Sequence, residues 1–277
     1  MPNELKTNIE KNYNFPSDEP KNILIYILDK IHQEIKNPIE ENNVQEQINY
    51  SLRQEVFNLF NIKEFNPENT SIVSQNFFGI KEFFLYCPNC KKNNFEYKIF
   101  KYIEFFIDEI SYQIVSRLEM LLNSGRNKSY IKTINKVNEK KIALEDCFDF
   151  FVNFNNQRKN FFCKICHSQA NYTTYNHRFM VLPDILFIII SKKTPLILNL
   201  EFPDTLDLSK YLEDFVTKKT YDLIGIISKS YQNQNIYYAS ILLDKQWYLY
   251  NNGTMIKCSI SEAKNKGIPY ILFYQKK

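Results

Sequence analysis

The sequence predicts an α+β protein with helices first, then a long antiparallel sheet that carries a metal-tipped extension. Three observations predict it. Helical periodicity is confined to the segments before residue 70 and two later stretches, while the rest of the chain is dominated by short aromatic and β-branched runs. Two cysteine pairs, Cys87-Pro-Asn-Cys90 and Cys163-Lys-Ile-Cys166, sit inside strand-like sequence with residues 91–162 between them. No internal repeat is visible, so one architecture must accommodate the whole pattern.

Residues 1–20 are polar and proline-bearing and read as a loose lead-in. From Asn22 to Lys36, Ile23, Tyr26, Ile27, Lys30 and Ile31 recur at helical spacing, with Asp18 and Glu19 placed to complement the helix dipole. A charged, Asn-rich loop over 37–50 leads to a second amphipathic helix, Leu52 to Phe60, closed by Asn66-Pro67. The period then changes. Ser71-Ile-Val-Ser-Gln-Asn-Phe-Phe-Gly, Phe83-Phe-Leu-Tyr-Cys and Phe95-Glu-Tyr-Lys-Ile-Phe read as strands, with a hairpin around the first cysteine pair. Residues from about 108 to 140, helical near Ile110 to Leu122, read as an insertion. Leu144, Cys147, Phe148 and Phe151 share one face of a short helix, which makes Cys147 a small core hydrophobe. Strands follow at 172–181, 185–191, 221–227, 237–243, 247–250 and 270–274.

A hydrophobic content of 44% with 16% aromatics fills a core in a chain of 277 residues. The 35 basic and 31 acidic residues are interspersed and the pI is near 8.5, so nothing favours nucleic-acid binding. The start, Met1-Pro-Asn-Glu-Leu-Lys, has no basic-then-apolar leader, and the longest apolar run, Ile185 to Ile190, is too short for a bilayer. The expectation is an intracellular protein, cytoplasmic or nuclear, with no membrane partner. Free thiols suit that compartment.

A two-residue gap lets each cysteine pair turn back and present two sulfurs to one ion, so Cys87, Cys90, Cys163 and Cys166 suggest a single tetrahedral Zn2+ site joining two distant hairpins. Four thiolates leave no open position, so the metal would be structural. Two other readings stand beside it. The pairs can be unrelated turns with free thiols, and Cys163 to His167 also fits a c-type haem attachment pattern, which leaves the first pair unexplained.

Taken in order, these segments resemble the ubiquitin-specific protease family of cysteine deubiquitinases. Asn22-Ile-Leu-Ile-Tyr-Ile-Leu-Asp-Lys-Ile-His resembles the helix after that family's QDA-E-F box, and Ser71 to Gly79 leading into Cys87 resembles the approach to its zinc fingers. Ala143-Leu-Glu-Asp-Cys-Phe, Leu182-Pro-Asp-Ile-Leu-Phe-Ile, Phe202-Pro, Leu206-Asp-Leu-Ser-Lys-Tyr, Tyr221-Asp-Leu-Ile-Gly-Ile-Ile, Trp247-Tyr-Leu-Tyr and Tyr270-Ile-Leu-Phe-Tyr follow in the family's order. The resemblance implies a papain-like hand fold over 21–277, with a shortened helical thumb (21–70), zinc-ribbon fingers (71–180) and an antiparallel β palm (181–277). It implies ubiquitin or a protein complex as partner.

The chemistry of that family needs residues absent from these positions. No GNTCY-like box for the nucleophile occurs in the 277 residues, and some twenty residues before the matching point leave no room for one. Where the family's GHY-x-A motif supplies the general base, this chain reads Asn235-Ile236-Tyr237-Tyr238-Ala239, and isoleucine moves no proton. The third member of the triad matches Asn251, with Asn252 beside it. His32, His167 and His177 are expected to be structural or superficial, away from Cys147 and Cys258. The expectation is a pseudoenzyme that binds ubiquitin weakly or serves as a scaffold. The alternative is the carboxy-terminal part of a working ubiquitin carboxyl-terminal hydrolase.

Overall fold

The structure, a computed structural model, describes residues 19–35, 53–64, 70–123, 141–153, 156–192, 199–212, 219–233, 235–251 and 253–277. The lead-in and the Asn-rich loop lie outside them. Helix α1 (Pro20–Ile35) starts with proline at its first position, where no amide is needed, and the Glu19 carbonyl accepts from Asn22 and Ile23. The Glu19 carboxylate accepts from the Tyr270 hydroxyl at 2.5 Å. Helix α2 (Arg53–Glu64) follows the second predicted segment.

One assignment is corrected. Ile72 to Phe77, read as strand, is helix α3 (Ile72–Phe77), because the Ser71 hydroxyl accepts from the Val73 and Ser74 amides and Ser74 returns the bond in a capping box. The β-branched and aromatic content of this stretch masked the cap. His32 Nδ1 lies 2.8 Å from the Ser71 Oγ, so the first histidine braces this helix start.

Strands β1 (Gly79–Tyr86), β2 (Asn93–Phe100), β5 (Asn156–Phe162) and β6 (Gln169–Val181) form a four-stranded antiparallel sheet in the order β2-β1-β6-β5. A larger sheet runs β13-β12-β11-β10-β14-β7-β3, from β3 (Ile103–Phe106), β7 (Ile185–Ser191), β10 (Thr220–Lys229), β11 (Tyr237–Leu243), β12 (Gln246–Asn251), β13 (Thr254–Cys258) and β14 (Ile268–Lys276), with β9 (Thr205–Asp207) paired to β10. It is not wholly antiparallel, since β3 runs parallel to β7 at the edge and β4 (Lys141–Ala143) runs parallel to β8 (Asn199–Glu201) in a separate pair.

Strand β7 explains its own apolar run: Leu186, Ile188 and Ile190 face the main core, while Phe187 and Ile189 face a second core completed by Leu24, Ile25 and Leu28 of α1. The main core also takes Ile107 and Ile110, from the first turn of α4 (Ile107–Asn123), and Leu144, Cys147 and Phe148 of α5 (Leu144–Asn153). Thus the stretch expected as an insertion starts inside the core, and residues 124–140 lie outside those described. A short helix α6 (Ile260–Asn265), capped reciprocally by Ser259 and Glu262, joins β13 to β14. Gly79 has no room for a Cβ, which would meet the Phe100 ring and stand 2.6 Å from the Val181 carbonyl oxygen. That close approach lies within the smaller sheet, beside the register shift between β1 and β6.

Candidate functional site

At the far end of the smaller sheet the two hairpins bring Cys87, Cys90, Cys163 and Cys166 together, with all four sulfurs within 4.8 Å of one another. The turns repeat one design. Cys87 N donates to the Lys92 carbonyl and Cys163 N to the Ser168 carbonyl, both at 2.9 Å, and the residue after each second cysteine is left-handed: Lys91 at φ 58° and His167 at φ 53°. The Sγ separations are 3.9 Å for Cys87 to Cys166 and 3.8 Å for Cys90 to Cys163. A tetrahedral ion with metal–sulfur bonds of about 2.3 Å has edges of about 3.8 Å, so the sulfurs fit one ion with a closed shell. The structure thus brings the four cysteines singled out from sequence together, and their sulfurs could hold one metal ion.

Asn94 was not singled out from sequence. Only 2% exposed, it accepts from the Lys164 amide at 3.1 Å and places its amide nitrogen 3.4 Å from Cys163 Sγ, tying the first hairpin to the second. Its only signal is a polar residue at an inward position of an aromatic strand. Burial alone would raise the Cys163 thiol, but the amides of Cys166 and Ile165 and the Asn94 side chain outweigh it and bring it down to about 6. Desolvation pushes Cys90 up to about 12, with its sulfur neighbours adding to the effect. The apolar support is small, with Leu85, Phe161 and Ala170 as the buried residues around the cysteines.

The second expected site lies on the larger sheet. Ile236 immediately precedes β11 and Asn251 ends β12, so antiparallel pairing puts both at one end of the β11–β12 hairpin. Ile236 donates its amide to the Asn233 carbonyl at 2.9 Å and accepts from the Ser230 amide at 2.8 Å, which leaves its side chain 43% exposed. Asn252 lies outside the described residues. Neither remaining thiol is activated: burial raises Cys147, with Asp146 and Glu145 adding to it, and burial followed by Glu262 raises Cys258. His177 is buried between Phe83 and Phe151, with ring centroids 5.7 and 4.0 Å away, and neither ring nitrogen has a hydrogen-bond partner among the described residues.

Among the described residues no helix is long and apolar enough to cross a membrane. The fold is similar to that of solved chains from the SAGA DUB module. Against a chain of the Ubp8/Sgf11/Sus1/Sgf73 module with a Ubp8 serine-to-asparagine substitution, the TM-score is 0.62 at 20% identity, covering 97% of this chain and 52% of that one. The yeast module with an Sgf73 tyrosine-to-alanine variant gives 0.57 at 20% identity, covering 93% and 50%. The module with a Ubp8 cysteine-to-alanine variant bound to monoubiquitin gives 0.53 at 20% identity, covering 81% and 46%. The chain thus spans about half the length of the solved chains it matches. No curated protein matches it. The ubiquitin carboxyl-terminal hydrolase model, however, matches residues 1–274, in keeping with the order of motifs and with the two sheets, and the chain belongs to that family.

Proposed function

We propose that this chain is a catalytically inactive ubiquitin-specific-protease-like domain that binds ubiquitin weakly or holds a place in a larger complex. The observation that carries the reading is Ile236 at the position of the family's general base. Without an imidazole there, nothing deprotonates a thiol or protonates the leaving amine, and Asn251 has no ring to orient. The raised thiols of Cys147 and Cys258 support it, since neither offers a substitute nucleophile. In the same proposal one structural Zn2+ sits on Cys87, Cys90, Cys163 and Cys166, with residues 71–180 as fingers, 181–277 as palm and 21–70 as thumb. The ion would supply folding energy and no chemistry.

The alternative is the carboxy-terminal part of a working hydrolase, which the half-length match to the solved chains favours and Ile236 opposes. An electrophilic ubiquitin probe and a fluorogenic ubiquitin amide test both readings. The expected result is no labelling and no turnover, with ubiquitin binding on the order of 100 µM, about −5 kcal/mol. Labelling of Cys147 or Cys258, abolished by mutating that cysteine, overturns the inactive reading. Submicromolar ubiquitin affinity in a stable monomer overturns the scaffold role in favour of a dedicated receptor.

A further inference from the structure

A cavity of about 470 Å³ opens where α1 crosses the junction of the two sheets. Ile25, Phe100, Tyr102, Ile103 and Phe151 make its walls apolar. Its charged groups are unequal. Lys101 Nζ is 2.5 Å from Asp29 Oδ1, and Glu104 Oε1 is held by Lys21 Nζ at 3.0 Å and by the Ser191 hydroxyl at 2.5 Å. Lys81 alone has no carboxylate. Its ammonium stands 5.6 Å from the Phe100 ring centroid and 5.5 Å from that of Phe151, two walls of the cavity, and among the described residues no acidic group pairs with it.

The surroundings make that charge costly. Lys98 is its direct cross-strand partner on β2, so two like charges share one face of the sheet, with Lys98 Nζ 5.3 Å from the Phe83 ring centroid. The neighbouring His177 ring packs on Phe151 and offers no negative charge. Burial holds the Lys81 amine below its ordinary value, and Lys98 adds to the effect. Ring faces offset part of the desolvation, but a cation over apolar walls is completed by an anion rather than by a second ring.

We propose that the cavity binds a carboxylate carried on an apolar body, with its oxygens on the Lys81 ammonium and its body against Phe100, Tyr102 and Phe151. One available cation suits a monoanion, and the volume lies within the range of small-ligand pockets. A polyanion such as a phosphate ester would leave charge unmatched between Asp29 and Glu104. The same chemistry has two sources, a free aryl or alkyl acid and the terminal carboxylate of a peptide. This inference is independent of the ubiquitin reading.

The test is an amide NMR titration of the metal-loaded chain with 3-phenylpropionate and with 3-phenylpropanol, its uncharged counterpart. The acid should bind roughly tenfold more tightly than the alcohol, the value of one charge-assisted contact. Its shifts should centre on Ile25, Tyr102 and Ile103. Lys81→Met should bring the ratio to about one and should not lower the melting temperature, because it removes a repelled charge. A tetrapeptide ending in free phenylalanine, compared with its amide, separates the sources: tighter binding of the free-acid peptide than of 3-phenylpropionate points to a chain terminus, and the reverse to a free acid. Equal affinities for acid and alcohol in the unmodified chain, shifts that centre elsewhere, or an acid preference surviving in Lys81→Met would overturn the proposal.

Discussion

Replacing Glu82 with glutamine should loosen α2 from the smaller sheet and cost about 3 kcal/mol. Glu82 is 0% exposed at the centre of β1 and is bracketed by Arg53 Nε, by Arg178 Nε at 2.8 Å and by the Tyr97 hydroxyl at 2.5 Å. Two cations and one donor share a single carboxylate. Glutamine keeps the shape but deletes the charge, leaving two guanidiniums facing each other beside Phe84. Breaking a buried pair costs roughly 3–5 kcal/mol, and the lower end applies here because the two arginine side chains are 25% and 29% exposed and can turn to water. For a domain of this size that corresponds to a fall in melting temperature of roughly 8 °C. The assay is urea unfolding followed by circular dichroism, with hydrogen exchange to show that α2 opens first. The same measurement on Glu82→Leu combined with Arg53→Leu and Arg178→Met should return within about 1 kcal/mol of the parent, since an apolar trio can replace an ion triad. A loss below about 1 kcal/mol for Glu82→Gln would refute the reasoning.

Three further outcomes follow from the packing. Burial, and then Lys81, lower His177 to about 4 against an ordinary 6.5, so the unfolded chain binds the proton first. Stability is therefore full above about pH 6.5 and lost as pH falls through about 4, by about 3 kcal/mol, and His177→Phe should flatten that part of a stability–pH curve. Cys163→Ser should remove the metal proposed for the four-cysteine site, scored by elemental analysis, and abolish exchange protection in β5 and the start of β6 while β10 and β14 stay protected; formation of such a site is worth on the order of 10 kcal/mol. Ser71→Ala removes the α3 cap and the partner of His32 together and should cost about 2 kcal/mol in chemical denaturation, whereas Ser71→Thr should cost less than half of that.

The parts legible in the sequence were those with a local cause. The cysteine turns declare themselves by spacing, β7 by an uninterrupted apolar run and α5 by the shared face of Leu144, Cys147 and Phe148. Helix α3 was misread because six residues carry too little periodicity to outweigh Ile72, Val73 and Phe77, although Ser71 and Ser74 stood at cap spacing. Strand β3 went unread for a different reason. Four residues earn their strand character only by pairing with β7, more than eighty positions away, and no local pattern encodes a partner. Strand β13 and helix α6 were also missed, with the Ser259 and Glu262 box as the available sign. Asn94 leaves only a polar residue at an inward strand position as a sign and Lys81 leaves none, because each acquires its meaning from what the fold sets opposite it.

Strand β6 has a mechanical consequence. Its 13 residues, at about 3.3 Å each, make an arm of about 40 Å from the second cysteine turn to Val181. The arm meets the larger sheet through Leu182, Pro183 and Asp184, where the Tyr221 hydroxyl donates to the Pro183 carbonyl at 2.7 Å and the Lys276 amide to the Asp184 carbonyl at 2.8 Å. The pivot is thus bolted from β10 and β14 at once. With such a lever a twist of about 5° at the pivot carries the cysteine tip through about 3 Å, roughly the width of a side chain. A load on the tip is felt at Tyr221, and a Tyr221 that loses its grip sets the tip swinging.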